Sequence, residues 1–163
     1  MRILLALDDS KYSAGATDAL IAQAKTENTE VHVLHAVEPF PERLAEDMGS
    51  KGSPDFVAAR LRQRERGKEM GAHVARKLRS AGFKATSSVK EGDARSVILK
   101  HAESWRADLI MVGSHGRTGL DRFLMGSVSE AVARHALLGR DCPDSFCALA
   151  SGEGRFWLGF PVC

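Results

Sequence analysis

The sequence has no long hydrophobic run and no surplus of charge, and each shortage argues against a class of protein. No apolar stretch approaches the roughly 20 residues that a transmembrane helix needs, so we expect no membrane partner. A formal net charge of +2 in 163 residues gives no strong attraction to nucleic acid. Since no stretch has the features of a targeting segment, we expect a cytoplasmic location.

Cysteines are few and lie together near the end of the chain, at Cys142, Cys147 and Cys163. Their spacing matches no common zinc or redox motif, and they suggest no disulfide framework. We interpret them as unpaired thiols of a reducing compartment.

Common catalytic motifs are also missing. The sequence contains no G-x4-G-K-[S/T] segment, which supplies the lysine and the magnesium-binding hydroxyl of a P-loop enzyme, and no G-x-G-x2-G segment of a dinucleotide fold. It has neither a G-x-S-x-G elbow nor an H-E-x2-H pair. The sequence therefore assigns no catalytic residue.

The composition is that of an ordinary globular protein, with 44% hydrophobic and 27% charged residues. A chain of this length predicts one domain with a substantial core, which we place over residues 1–150. Residues 109–112 are a short apolar run that stops at Gly113, as a strand covered on both faces would. Residues 128, 131, 132, 135 and 136 then form one apolar helix face, so the helix begins near Gly126 and Ser127.

The strand, the glycine-containing loop and the helix start together predict a phosphate-binding site. The first N–H groups of a helix are unpaired and carry about half a positive charge, which favours an anion. Gly113 and Gly116 lack Cβ atoms, so their amides can approach a bound group closely.

The rest of the chain alternates strands and helices. We predict strands over residues 3–7, 31–37 and 83–90, and helices from Ser10 to about residue 25, over 56–81 and after a cap at Asp93. This order implies a parallel sheet with right-handed crossovers, in the order 3-2-1-4 with any fifth strand beyond the fourth. The polar residues of strand three predict an edge strand. Asp8 and Gly113 then face one crevice at the switch point between strands one and four.

Three features leave alternatives open. The segment 38–55, rich in proline and glycine, is either a lid over the crevice or a variable surface insertion, with a short helix near residues 42–48. His32 and His35 point to opposite faces of strand two, which argues against a shared metal site. The basic helix over residues 60–79 indicates a solvated surface more strongly than a nucleic-acid site.

The glycine spacing resembles that of a known family. Gly113, two residues, Gly116, nine residues and Gly126-Ser127 match the pattern G-x2-G-x9-G-[S/T] of nucleotide-binding universal stress proteins. The opening ILLALDDS, the strand VHVLHAV and the block MVGSHGRTGLDRFLMGSVSEAVARHA extend the resemblance from residue 1 to about residue 136. It implies a three-layer α/β/α fold with an open parallel sheet of order 3-2-1-4(-5), similar to the Rossmann-like adenine nucleotide alpha hydrolase fold.

The resemblance also implies a ligand, ATP, with Asp8 or Asp9 available to hold Mg²⁺ through a phosphate, although the metal site itself stays unknown. By position, Ala6, Leu7 and Asp8 would lie along the adenosine, and the backbone of Val37 would contact the adenine. Met111 and Val112 would form walls. Arg117 and Arg122 lie within the loop, where they either neutralise phosphate charge or are exposed to solvent. Amides and hydroxyls for the phosphates would come from Gly113, Gly116, Gly126, Ser127, Val128 and Ser129. Each has a structural alternative, since Asp8 and Ser127 could cap helices and Gly113 could allow a tight turn.

After residue 136 the sequence departs from the family, which usually continues into a strand that pairs two subunits. Residues 145–150 predict a poor fifth strand, and residues 151–163 form a divergent tail with an apolar cluster at 156–160. The homodimer that the resemblance implies is therefore in doubt. Three functional hypotheses remain: a nucleotide-responsive stress and signalling module, an interaction protein that needs no nucleotide, and a slow ATPase.

Overall fold

The fold is an α/β sheet with helices on both faces. The computed structural model describes residues 1–8, 11–39, 53–113, 127–138, 148–152 and 155–161. Four helices are present in these ranges: α1 (Lys11–Gln23), α2 (Pro54–Ser80), α3 (Ala94–Trp105) and α4 (Ser127–Leu138). The strands are β1 (Arg2–Leu7), β2 (Glu30–Val37), β3 (Lys84–Glu91), β4 (Leu109–Gly113), β5 (Ala148–Gly152) and β6 (Arg155–Pro161).

The first four strands are parallel and adopt the order that the sequence predicts. The sheet runs β3-β2-β1-β4-β6-β5, and β1 pairs with β2 on one side and β4 on the other. β3 is an edge strand, and Lys84 and Lys90 on it are exposed. Since β1 and β4 are neighbours while their crossovers run to opposite sides, the predicted switch point lies between their carboxyl ends.

The end of the sheet differs from the prediction of a parallel sheet with one strand beyond β4. β6 pairs with β4 in the antiparallel direction, from Leu109 opposite Pro161 to Gly113 opposite Trp157. β5, which overlaps the predicted strand at 145–150, pairs only with β6 among the described strands. Since only residues 153–154 separate β5 from β6 in the chain, the two strands form a hairpin, and the strands of a hairpin are antiparallel.

The sheet has one apolar cluster on each face. Ile3, Leu5 and Leu7 point toward α1 and α2, and Leu4 and Ala6 point toward α3 and α4. This alternation is the period-2 pattern of a strand, and both sets are buried because helices cover both faces. β1 is therefore the centre of the protein.

Helix boundaries follow the local chemistry of the sequence. α2 begins two residues earlier than predicted because Ser53 accepts a hydrogen bond from the Phe56 amide and Pro54 occupies the first turn. Asp93 caps α3, as predicted, and accepts from the Ser96 amide at 3.0 Å. No helix in the described ranges has both the length and the hydropathy for crossing a bilayer.

The two histidines of β2 lie on opposite faces of the sheet, as predicted. His35 is buried beside α2, and His32 stacks against His101 of α3. The predicted lid over residues 38–55 and its short helix fall mostly outside the described residues, as do the three cysteines.

Candidate functional site

The candidate site lies where β1 and β4 end side by side. Their pairing runs up to Ala6 opposite Val112, so Leu7 and Asp8 follow on one strand while Gly113 follows on its neighbour. This placement confirms that Asp8 and Gly113 lie at one edge of the sheet. The acidic side chain and the glycine are brought together by the strand order alone, although 105 positions separate them in the chain.

Asp8 is held by a serine in the first turn of α1. Its amide donates to Ser13 Oγ at 2.8 Å, and the same hydroxyl donates to Asp8 Oδ1 at 2.7 Å. Ser13 is nearly buried, and its own carbonyl accepts from Thr17 Oγ1 at 3.0 Å. The reciprocal pair fixes both the backbone and the carboxylate of Asp8, which is the contact with the start of α1 that the sequence offered as the structural alternative.

His35, on the neighbouring strand β2, contacts the end of β1 just before Asp8. His35 Nδ1 lies 3.0 Å from the carbonyl oxygen of Leu7, which is the residue that it faces in the β1–β2 register. The imidazole is buried against α2 at Gly67, where an added Cβ would lie 2.5 Å from His35 Cδ2. A glycine is therefore needed at this position for α2 to lie so close to the sheet.

The first turn of α4 is connected to the end of β4. Ser129 Oγ donates to the Gly113 carbonyl at 2.6 Å, and Ser129 is buried. This contact holds the amino-terminal end of α4, with its positive partial charge, beside the carboxyl end of β4. Since its hydroxyl proton is used in this bond, Ser129 can offer a phosphate its backbone amide rather than the hydroxyl donor that the resemblance implied.

The remaining predicted residues divide into two groups. Ala6, Leu7, Val37, Met111 and Val112 are buried, and Met111 and Val112 pack their side chains into opposite clusters of the core. Ser127 is exposed and Val128 half-buried at the start of α4. Gly116, Arg117 and Gly126 lie outside the described residues.

The site contains three residues that sequence reasoning did not select: Ser13, His35 and Gly67. Their signals are present but weak. A serine five residues after Asp8 competes with Ser10 as a partner for the strand end, and a buried histidine in a strand predicts packing rather than a directed hydrogen bond. Gly67 interrupts a helix otherwise free of glycine until Gly71, and such a glycine indicates a close approach to another element.

A second polar cluster lies on the face of the sheet that α3 covers, near the amino end of β2. His32 Nδ1 is 2.8 Å from Thr86 Oγ1 and His32 Nε2 is 2.8 Å from Ser88 Oγ. The His32 ring also stacks on His101, with centroids 4.6 Å apart. Burial, then the neighbouring His101 and then Lys90, lower the pKa of His32 from 6.5 to about 4.

His101 shares this environment. Burial first, and Lys90 second, lower the pKa of His101 below its usual value. Its Nε2 is buried and has no hydrogen-bond partner among the residues that the structure describes. The described residues contain no group of three histidine, cysteine, aspartate or glutamate side chains placed to hold a metal ion.

The chain is similar to universal stress proteins over most of its length. Residues 1–137 match the family model described as "Universal stress protein family". Universal stress protein MJ0531 of Methanocaldococcus jannaschii is 32% identical over 135 residues, which cover 83% of this chain and 76% of that protein. Universal stress protein YxiE of Bacillus subtilis is 29% identical, over 82% of this chain and 91% of its own length.

Solved structures share the fold. The structure of MJ0577 from M. jannaschii superposes with a TM-score of 0.69 at 28% identity, covering 82% of this chain and 87% of that one. A universal stress protein family protein from Arabidopsis thaliana, At3g01520, determined with AMP bound, superposes with a TM-score of 0.59 at 19% identity. Its match covers 83% of this chain and 85% of that chain.

Proposed function

This chain belongs to the universal stress protein family, and from that premise we propose that it binds ATP in the crevice between β1 and β4. Bound nucleotide would act as a signal that changes the affinity of the protein for a partner, with little or no hydrolysis.

One observation supports this function most strongly: the carboxylate of Asp8 and the first turn of α4 lie at one edge of the sheet, each held in place by a serine. Ser13 orients Asp8, and Ser129 connects α4 to Gly113. An adenine nucleotide has ribose hydroxyls that donate to a carboxylate and phosphates that accept from helix amides. The two ends of the crevice therefore have the chemistry that the two ends of the ligand require.

The roles of the residues follow from this arrangement. Asp8 would accept from the ribose, the Val37 backbone at the end of the adjacent strand would contact the adenine, and Gly113 would admit the ligand close to the backbone. The amides of Ser127, Val128 and Ser129 would bind phosphate oxygens, since the first four N–H groups of a helix have no partner within it. Gly116, Arg117 and Gly126 belong to the same proposed site through the glycine pattern.

The related fold that holds AMP in the Arabidopsis protein supports an adenine nucleotide rather than another anion. Little hydrolysis is expected because phosphoryl transfer to water needs a group that orients the attacking water, together with a clamp on the phosphate charge. The sequence lacks the P-loop lysine and hydroxyl that supply part of that clamp in many ATPases. A slow ATPase remains the alternative within the same site.

A second function, an interaction protein that needs no nucleotide, is favoured by the internal bonds of the site. Asp8 Oδ1 and Ser129 Oγ both bond to other groups of the protein, as they would in a crevice with a purely structural role. Partner binding that is unchanged by ATP, and by substitution of Asp8 and Gly113 together, would identify this function.

Two measurements test the proposal. Mass spectrometry of the supernatant from freshly purified, denatured protein should detect ATP or ADP. Calorimetry with nucleotide-free protein should show ATP binding that is lost in Gly113→Val, because a branched side chain at Gly113 would separate the ligand from the backbone. Gly82→Ala, at a surface turn with a φ of +95°, serves as a control for the general cost of replacing a glycine. A folded parent protein that binds no ATP would contradict the proposal.

A further inference from the structure

We infer that His35 is a positioning residue for the nucleotide crevice, and that Gly67 of α2 holds it there. His35 would act through the Leu7–Asp8 peptide, which it keeps in the orientation that aims the Asp8 carboxylate at the ribose. This inference rests on the proposed nucleotide binding.

The peptide group between Leu7 and Asp8 is held from both sides. Its carbonyl oxygen faces His35 Nδ1 at 3.0 Å, and its N–H donates to Ser13 Oγ at 2.8 Å. In a trans peptide the C=O and N–H bonds point in opposite directions, so the two contacts resist rotation of the peptide plane from opposite sides. The following side chain, Asp8, takes its direction from that plane.

The direction of the hydrogen bond is fixed by its chemistry. A backbone carbonyl only accepts, so Nδ1 of His35 must carry the proton and donate to Leu7. His35 is 3% exposed, and a buried carbonyl that loses a donor costs about 1–3 kcal/mol. The Leu7–Asp8 peptide would therefore turn toward another donor if the imidazole were removed.

Gly67 determines where the imidazole lies. A Cβ at Gly67 would be 2.5 Å from His35 Cδ2, which is too close for a stable contact, and 3.2 Å from His35 Nε2, which is tight. An alanine there would force the ring to move, and the bond to Leu7 depends on the position of that ring. Besides the apolar packing of this face, the helix α2 is thereby coupled to the end of β1 through the His35 side chain.

The neighbouring glycine of α2 provides a matched control. Gly71 is also buried and faces the sheet, but a Cβ there would lie 3.3 Å from Ser87 Cβ on the edge strand and would meet neither His35 nor Leu7. Gly71→Ala therefore carries the same change in helix propensity and a milder packing change, without displacing the imidazole.

The first experiment compares His35→Leu with His35→Asn by calorimetry with ATP. Leucine fills much of the ring volume but donates no hydrogen bond, whereas the asparagine amide can place an N–H close to the position of Nδ1. We expect His35→Leu to weaken ATP binding about tenfold, the equivalent of one ordinary hydrogen bond. His35→Asn should recover most of that affinity, although both variants lose packing around the ring.

The second experiment tests whether His35 acts through Asp8. In an Asp8→Asn background, His35→Leu should change ATP affinity by less than about twofold, because the carboxylate that it positions is gone. Inorganic triphosphate, which has no ribose, should bind parent and His35→Leu equally. Full additivity of the two substitutions, or an equal loss for triphosphate, would show that His35 only supports the fold.

The third experiment measures ATP binding to Gly67→Ala and Gly71→Ala. The inference predicts about a tenfold loss for Gly67→Ala and less than a twofold loss for Gly71→Ala, with both proteins compared at matched folded fractions. Equal losses would overturn the role of Gly67. If the parent binds ATP and His35→Leu binds it as tightly, the inference about His35 is wrong while the proposed function stands; a parent that binds no ATP contradicts the proposed function itself.

Discussion

Ser129 Oγ donates a hydrogen bond to the Gly113 carbonyl at 2.6 Å, joining the first turn of α4 to the last residue of β4. These two residues flank the glycine-rich segment that carries most of the family pattern. The bond therefore fixes the distance between the two ends of that segment, and it does so with a side chain that is buried. The position of the helix terminus at the crevice depends on this contact.

Replacing Ser129 should weaken both the fold and the site. We expect Ser129→Ala to lower the free energy of unfolding by about 1–2 kcal/mol, because the Gly113 carbonyl loses a donor. Calorimetry should also show weaker ATP binding, since the start of α4 is no longer held beside β4. Ser104→Ala, which removes a similar hydroxyl-to-carbonyl bond from the exposed surface of α3, is the control. Equal effects of the two substitutions would contradict this prediction.

The stability cost of shortening a leucine to alanine should depend on whether that leucine is buried. Leu34 is fully buried in β2, and Leu34→Ala should cost about 2–5 kcal/mol by leaving a cavity. Leu61 in α2 is 56% exposed, and Leu61→Ala should change stability by less than about 0.5 kcal/mol. Urea denaturation of both variants tests the pair. A large loss at Leu61 would show that this leucine is covered in solution.

The histidine cluster predicts loss of stability in acid. The pKa of His32 is about 4 in the folded protein and 6.5 for an ordinary histidine, so the unfolded chain binds the proton more readily. Stability should therefore be complete above pH 6.5 and fall as the pH decreases toward 4. Because the ring is only about half-buried, we discount the full shift to about 1–2 kcal/mol.

Denaturation curves measured at intervals between pH 7 and pH 4 test this prediction. His32→Gln cannot titrate in this range and should flatten the dependence, while His73→Gln, on the outer part of α2 away from this cluster, should leave it unchanged. His101 contributes in the same direction, since its pKa is also lowered and its buried Nε2 has no hydrogen-bond partner in the described part of the chain. A profile that is equally steep in His32→Gln would assign the effect to other groups.

The cap of α3 gives a further test. Asp93 accepts from the amide and hydroxyl of Ser96, and these bonds lower the pKa of its carboxyl. Asp93→Ala should cost about 1 kcal/mol, the usual effect of losing an N-cap, whereas Asp93→Asn keeps an acceptor and should cost less. Because the folded pKa is lowered, the benefit of the carboxylate should fade as the pH falls through the acidic range. Thermal unfolding at neutral and acidic pH measures both effects.

The central sheet could be predicted from the sequence because the burial of each strand follows from the residues of that strand. The apolar runs of β1 and β4 and the polar alternation of β3 determine which strands are central and which is the edge, and the positions of Asp8 and Gly113 follow from strand order. The antiparallel β6 was missed because its apolar residues predict burial but not direction. Gly152 at the end of β5 and Gly154 after it are a turn signal that indicates a hairpin.

Within the site, the residues proposed to bind the nucleotide were easier to predict than the residues proposed to orient them. Glycines and a strand-terminal aspartate form a pattern along the chain, whereas Ser13, His35 and Gly67 act through contacts made only after folding. His35 faces Leu7 because of the strand register, and Gly67 faces His35 because of the packing of α2. The spacing of these residues along the chain predicts neither the His35–Leu7 contact nor the Gly67–His35 contact.

The most direct test of the account is the affinity of Asp8→Asn for ATP, measured by calorimetry beside the nucleotide-free parent. Asparagine keeps an oxygen that can accept from Ser13 but loses the charge offered to the ribose, so the fold should be retained. A hydrogen bond to a charged group contributes about 1.5–3 kcal/mol, and we therefore predict binding by the parent that weakens about ten- to a hundredfold in Asp8→Asn. Equal affinity of the two folded proteins for ATP, or no binding by either, would contradict the account.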